Sequence, residues 1–469
     1  MKNKTKITNA LKAALKHKIG KGVIEGSSLS QKQREALVEA GWLTEILRGW
    51  YILSQPAGKD AVTVVWYESF WDFLKTYLHK RYGLKYCLSP VESLLYHSKS
   101  NTIPSKINVY ISKKSTAIVD LRFIDTQIII FNSPLVNSAI DLDGLKILPA
   151  HIALASLPPV AYKEHHIAIK ALLSNAAIHA STEEYIDLND KHMAKERLSG
   201  FFNYTIPIKF TERSPAAGRV EGLWNAYAPI INNFFEKSEF KYFDSFASVD
   251  KHIEEQFKQD SYNSLTIEGY EVTLDTIEKI HAGEIEFSKN DDDNKRAVVG
   301  YSLAYKQVKA DILASLDNDL DMPDVNAWRM LLFSSMAEEE SAMRQYRREA
   351  VFIRGSMHVP VNFSCIIDCM DTLRECIEGS QNDLPITRAA LSHILLVYIH
   401  PWSDGNGRTS RFLMNYFLCK EKLPWLIIKH EERQKYFNAL EEAQVSNNIV
   451  PFMNYIQSIL DRNAVVASS

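Results

Sequence analysis

His400-Pro401-Trp402-Ser403-Asp404-Gly405-Asn406-Gly407-Arg408-Thr409-Ser410-Arg411 sets an imidazole, a carboxylate, a Gly-Asn-Gly turn and two guanidiniums within twelve consecutive residues. An apolar run, Ile394 to Ile399, precedes it, and an amphipathic run, Phe412 to Leu418, follows. The pattern predicts a helix ending at His400, where Pro401 stops it, then a tight loop and a second helix opening near Gly407. Such a loop bares backbone N–H groups, and the new helix adds the positive end of its dipole. The expected result is a phosphate cradle with a base on one side and arginines on the other. No Lys-Ser/Thr follows the glycines, as a P-loop would need, and no strand precedes them, as a Rossmann fingerprint would need.

The stretch resembles the Fic family signature, His-Pro-Phe-x-Asp/Glu-Gly-Asn-Gly-Arg-x-x-Arg, with Trp402 standing where Phe is usual. That family transfers a nucleotide monophosphate, usually AMP from ATP, onto protein hydroxyls. AMP transfer needs a base for the attacking Ser, Thr or Tyr. His400 suits that role, because an unperturbed imidazole titrates near pH 6.5. Asp404 is the loop carboxylate able to ligate Mg²⁺ beside ATP. The N–H groups of Gly405, Asn406 and Gly407, together with the Asn406 side chain, are expected to hold phosphate oxygens. Arg408 and Arg411, three apart on one helix face, are expected to hold the β- and γ-phosphates. The resemblance assigns the γ-phosphate to Arg411. Trp402 is read as an aromatic anchor beneath the loop, and His393 as a buried structural residue.

The resemblance also implies a β-hairpin flap, upstream of the loop, against which the target segment docks. Val351-Phe352-Ile353-Arg354-Gly355 alternates like a strand and stands in that position. A target could add to such an edge as an extra strand. Further upstream, Ser264-Leu265-Thr266-Ile267-Glu268-Gly269 matches the family's inhibitory pattern, Ser/Thr-x-x-x-Glu-Gly/Asn. Ser264 and Glu268 are i and i+4 on one helix face, and Gly269 is suited to end that helix. A Glu268 paired with Arg411 would occupy the γ-phosphate position and hold the site off. The same carboxylate could orient a water, and some members of the family remove AMP in that way, so the direction of reaction stays open.

The first fifty residues carry ten Lys/Arg against four Glu, a net of +6. A short helix near residues 8–18, a second one capped by Ser30 and ended by Gly41, and two short strands between Trp42 and Leu53 make the order of a winged helix-turn-helix. Ala40-Gly41-Trp42-Leu43 with Arg48-Gly49-Trp50-Tyr51, and then Tyr86 to His97 read as a following helix, loosely resemble AbiEi-type antitoxin domains. That resemblance implies DNA contact through residues 1–60 and a toxin-antitoxin setting, so a DNA-binding antitoxin-like regulator is the alternative function. Strand-like runs at 107–111, 117–121 and 126–131 predict a small sheet, and helical periodicity resumes from Pro149.

The whole reads as an α+β N-terminal region followed by a mainly α-helical Fic domain. The expected boundaries are a winged-helix-like segment at 1–60, an antitoxin-like domain at 61–203 and a linker at 204–222, where Pro207, Pro215 and Gly218 break regular structure. The Fic domain spans 223–430 with an inhibitory helix near 260–269, and a helical segment fills 431–469. At 469 residues, more than one core is expected. The net charge of -3 argues against a chain that coats nucleic acid overall. Asp291-Asp292-Asp293-Asn294 lacks the offsets of a calcium loop and reads as an acidic turn. Five cysteines without a C-x-x-C pair, no apolar run near the roughly 20 residues of a membrane span, and no signal-like h-region predict a reduced, cytoplasmic protein. The expected partner is a protein hydroxyl, this chain's own included, and the oligomeric state, homodimer among the options, is left open.

Overall fold

In the computed structural model, helices Pro385–Ile399 and Asn406–Lys420 flank the signature loop and lie side by side. The structure describes residues 2–19, 22–53, 59–100, 105–121, 126–173, 175–202, 214–238, 240, 242–284, 292–315, 321–335 and 346–466. The chain divides into two compact units, one of residues 1–219 with 350–359 and one of residues 220–349 with 360–469.

In the first unit, helix Lys2–Lys16 is followed by a short strand, Val23–Glu25, then helix Gln31–Glu39 and the pair Leu43–Leu47 and Trp50–Leu53. The three strands form one antiparallel sheet with Trp50–Leu53 in the middle. The strand Val23–Glu25 is absent from the sequence reading, because three residues are too few to show a period. Ser30 caps its helix reciprocally: its Oγ accepts from Gln33 N at 3.4 Å, and Gln33 Oε1 accepts from Ser30 N at 3.0 Å. Helix Lys59–Tyr82 supplies Trp66, Phe70, Phe73 and Tyr77 to a core shared with three sheets of this unit, one of them the strand pair Ile140–Leu142 and Leu145–Ile147. The second sheet orders Tyr86–Leu88, Lys106–Ile111, Thr126–Asn132 and Ala117–Leu121, and its middle pair is parallel.

Two expectations in this unit are corrected. Tyr86-Cys87-Leu88 is an edge strand rather than the start of a helix. Pro90 at the first helical position lets the helix Pro90–His97 begin only there. Residues 351–355 form no strand: the chain turns at Arg354-Gly355, with Gly355 at φ 76 and Ser356 N donating to Ile353 O at 3.2 Å. Alternating side chains make a strand only where a neighbouring backbone takes up the N–H and C=O groups, and no ladder forms here.

The expected break at 204–222 is also corrected where it can be seen. Pro215 opens a helix, Pro215–Phe235, that runs on through Gly218 and Gly222. Proline costs nothing in a helix's first turn, where its missing N–H has no partner to lose. Pro207 lies outside the described residues.

The second unit is helical. Phe246–Ile267, Leu274–His281, Asp293–Ala314, Val325–Phe333, Ile366–Glu378, Arg433–Val445 and Val450–Val466 accompany the two helices of the loop. Every described residue of Asn406–Lys420 except Gly407 is buried, including Arg408, Arg411, Asn415 and Lys420, so this helix is internal rather than amphipathic. Asp292, in the acidic stretch, caps helix Asp293–Ala314 by accepting from Lys295 N at 2.9 Å; Asp291 is outside the described residues.

Candidate active site

Helix Pro385–Ile399 ends at His400, which takes the left-handed conformation at φ 52, ψ 61. Its Nδ1 lies 3.3 Å from Val397 O, so the tautomer that donates there leaves Nε2 as the free base. Burial, and next the positive charge of Arg347, hold its pKa down to about 4 against the opposing pull of the Val397 carbonyl, Glu268 and Asp404. The imidazole is therefore neutral at physiological pH, well away from the ordinary value near 6.5 assumed from sequence.

The next helix starts on Gly405, itself left-handed at φ 90, and no side chain caps it. Its first N–H groups are thus left for an external anion. Asp404 Oδ1 accepts from Gly405 N at 2.5 Å and from Arg408 Nη2 at 3.1 Å, while its side chain stays 58% exposed.

Two sequence assignments change. The Asn406 side chain does not face outward to phosphate: Oδ1 accepts from Trp402 N at 3.1 Å and Nδ2 donates to Trp402 O at 2.8 Å. Both ends of the amide are spent closing the loop on itself. Arg408 is fully buried, with its guanidinium 5.3 Å from the Tyr270 ring and 4.9 Å from the Phe333 ring. It braces Asp404 through Nη2 and lies against those rings. Trp402 is buried and donates from Nε1 to Asn326 Oδ1 at 3.1 Å. His393 is buried as well, against Tyr436 and stacked on Phe452.

Arg411 meets the helix Phe246–Ile267. Its Nε donates to Ser264 Oγ at 2.7 Å, and its Nη2 donates to Ser264 O at 3.1 Å and to Glu268 Oε1 at 2.8 Å. Burial opposes its charge, but Glu268, Tyr436 and Tyr301 outweigh burial and raise its proton affinity above the ordinary arginine value. Glu268 is the C-cap of its helix. Gly269 follows at φ 94, its N–H bonds Thr266 O at 3.1 Å, and Tyr270 N bonds Leu265 O at 3.1 Å. These two bonds make a Schellman motif. A Cβ on Gly407 would stand 2.4 Å from Glu268 Oε1, so the carboxylate rests directly on the first turn of the cradle.

Residues 319–418 match the model of the Fic/DOC family. This region is a Fic/DOC family domain. Outside the domain's matched span lie Ser264 and Glu268. "Protein adenylyltransferase Fic" of Drosophila willistoni is 30% identical over 210 residues, 44% of this chain and 41% of that protein. The Drosophila melanogaster protein of the same name is 29% identical over 210 residues, with the same shares. The chain therefore spans about two fifths of the length of these relatives. Solved structures of Fic-1 from C. elegans (18% identity, 68% of this chain, 94% of that one, TM-score 0.40) and of a Fic-domain signaling protein from Bacteroides thetaiotaomicron (19%, 53%, 94%, 0.40) are also similar.

Arg329 and Arg347, both buried, also hold the Fic loop and were missed from sequence. Arg329 Nε donates to Asp404 O at 3.1 Å, and Arg347 N donates to Pro401 O at 2.9 Å. Only the Arg347-Arg348 pair just ahead of the flap segment could have drawn the eye. No helix among the described residues is long and apolar enough to cross a membrane, and no described cluster of three His, Cys, Asp or Glu could hold a metal ion.

Proposed function

We propose that this chain transfers AMP from ATP to a protein hydroxyl, and that Glu268 restrains the reaction. The observation that carries this is the uncapped helix start beyond His400, with the Glu268 carboxylate seated on Gly407 and Arg411. An anion already occupies the place an ATP phosphate needs. The Drosophila relatives' name, protein adenylyltransferase, supports the same chemistry.

His400 Nε2 takes the proton from the target hydroxyl, whose oxygen bonds to the α-phosphorus while the bond to the β-phosphate oxygen breaks and pyrophosphate leaves. Backbone N–H groups at the start of the Asn406–Lys420 helix steady the phosphates. Arg411 holds the γ-phosphate once Glu268 lets go. Asp404, with its carboxylate largely exposed, would hold a Mg²⁺ ion beside ATP. One exposed carboxylate is the usual protein share in such sites. That ion, when bound, neutralises phosphate charge.

The test is transfer of labelled AMP from ATP with Mg²⁺ to the protein itself. Glu268→Gly raises labelling and His400→Ala abolishes it. Equal labelling of the two variants would sink both assignments.

A second reading attaches to residues 1–60. The net charge of +6 over the first fifty residues, and the helix Gln31–Glu39 followed by two paired strands, support a winged-helix DNA contact of a regulator. All five thiols are unpaired, which suits a cytoplasmic setting.

A further inference from the structure

Arg347 lies outside the signature loop, is 7% exposed, and directs its hydrogen bonds to main-chain carbonyls. Its Nε donates to His400 O at 2.8 Å and its Nη1 to Glu349 O at 3.0 Å. Its Nη2 donates to Val361 O and, at 3.5 Å, to Ile399 O. Its own N–H reaches Pro401 O at 2.9 Å. No carboxylate is among the bonded partners within the described residues, and burial pulls its pKa down to about 10. A buried cation without a counter-ion is costly, so its site must offer something other than charge pairing.

What it offers is a join between two stretches. Ile399 and His400 are the last carbonyls of a helix, which no intrahelical N–H can satisfy. Positive charge at that end also suits the helix dipole. His400 is a non-glycine residue in the left-handed region, so its backbone needs outside support to stay there. Glu349 and Val361 bracket the segment that carries Val351 to Gly355. One planar guanidinium therefore ties Glu349 and Val361 to the backbone of His400.

We propose that Arg347 is a positioning residue that fixes the His400 backbone to the main chain at Glu349 and Val361, so that the imidazole is held where it takes the proton from the target hydroxyl. This rests on the adenylyl-transfer reading above. The fork geometry matters because it reaches several carbonyls from one plane, which the single ammonium of a lysine cannot do. ATP is held by other groups, the helix start at Gly407 and Arg411, so losing the join impairs turnover and leaves nucleotide affinity alone.

The experiment uses the full chain with Glu268→Gly as parent, so that the site is released. Arg347→Gln and Arg347→Lys are added to it. Self-labelling with AMP gives the rate, calorimetric titration with Mg²⁺-ATP gives the Kd, and thermal unfolding follows the fold. Arg347→Gln is expected to label at least about 30-fold more slowly and Arg347→Lys about 5-fold more slowly, each with a Kd for ATP within about twofold of the parent. Parental labelling rates in either variant overturn the proposal, as does a Kd that weakens in step with the rate. If Arg347→Gln does not fold, Arg347→Lys decides alone. If neither folds, the residue's role is structural and the proposal falls. A parent that fails to label at all strikes instead at the adenylyl-transfer reading, and the proposal goes with it.

Discussion

His400 is neutral because it is desolvated and faces Arg347, and that has a kinetic consequence. A general base must be unprotonated, so a depressed pKa extends activity toward acid rather than toward alkali. With Glu268→Gly protein, kcat/KM for ATP is expected to hold near its neutral value down to about pH 5 and to fall as pH drops toward about 4, where His400 protonates. An acid limb centred near pH 6.5 would show that the imidazole is solvated in the free enzyme. Asn406 has a different weight at this scale. Its amide satisfies both the N–H and the C=O of buried Trp402. Asn406→Ala should therefore cost about 2–4 kcal/mol in unfolding free energy, from two buried backbone groups left unpaired, measured by denaturant titration. The residue types were legible in the signature. Their orientations were not, because an asparagine beside a glycine turn can equally face a ligand or its own loop.

The proposed restraint belongs to the scale of an element. The helix Phe246–Ile267 ends in a Schellman motif, and that ending aims Glu268 at Arg411. Gly269 sits at φ 94, where an L side chain is strained. Gly269→Ala is expected to lose about 1–2 kcal/mol of stability and to raise self-labelling, though less than Glu268→Gly does. Unfolding midpoints and labelling rates measured side by side check this, and a destabilised protein with unchanged labelling would separate the cap from the brake. Spacing alone exposed this element, since i and i+4 share a helix face and glycine marks the C′ position. The strand at Tyr86–Leu88 and the helix through Gly218 were hidden for related reasons. A three-residue strand has no readable period, and a proline opens a helix as readily as it ends one.

For the whole molecule, charge is distributed unevenly: the first fifty residues are at +6 while the chain is at -3 overall. If residues 1–60 contact DNA, the full chain should retard duplex DNA in a gel at low salt. It should lose that affinity by about tenfold or more between 50 and 200 mM salt, as released counterions require. Retardation that ignores salt, or none at all, argues that those lysines are only solvated.

The sequence by itself determined which groups sit contiguously. Twelve residues place an imidazole, a carboxylate, a glycine turn and two arginines together, and six more place a serine, a glutamate and a terminating glycine on one helix end. Local pattern suffices there because the spacing of a helix and the demands of a tight turn are properties of neighbours. Only the tertiary structure decided that Glu268 closes on Arg411 across 143 positions, that Arg347 reaches His400 across 53, and that the buried Arg408 lies against Tyr270 and Phe333. Those outcomes depend on which helices pack together and which groups lose their water. Neither is written in the order of adjacent residues.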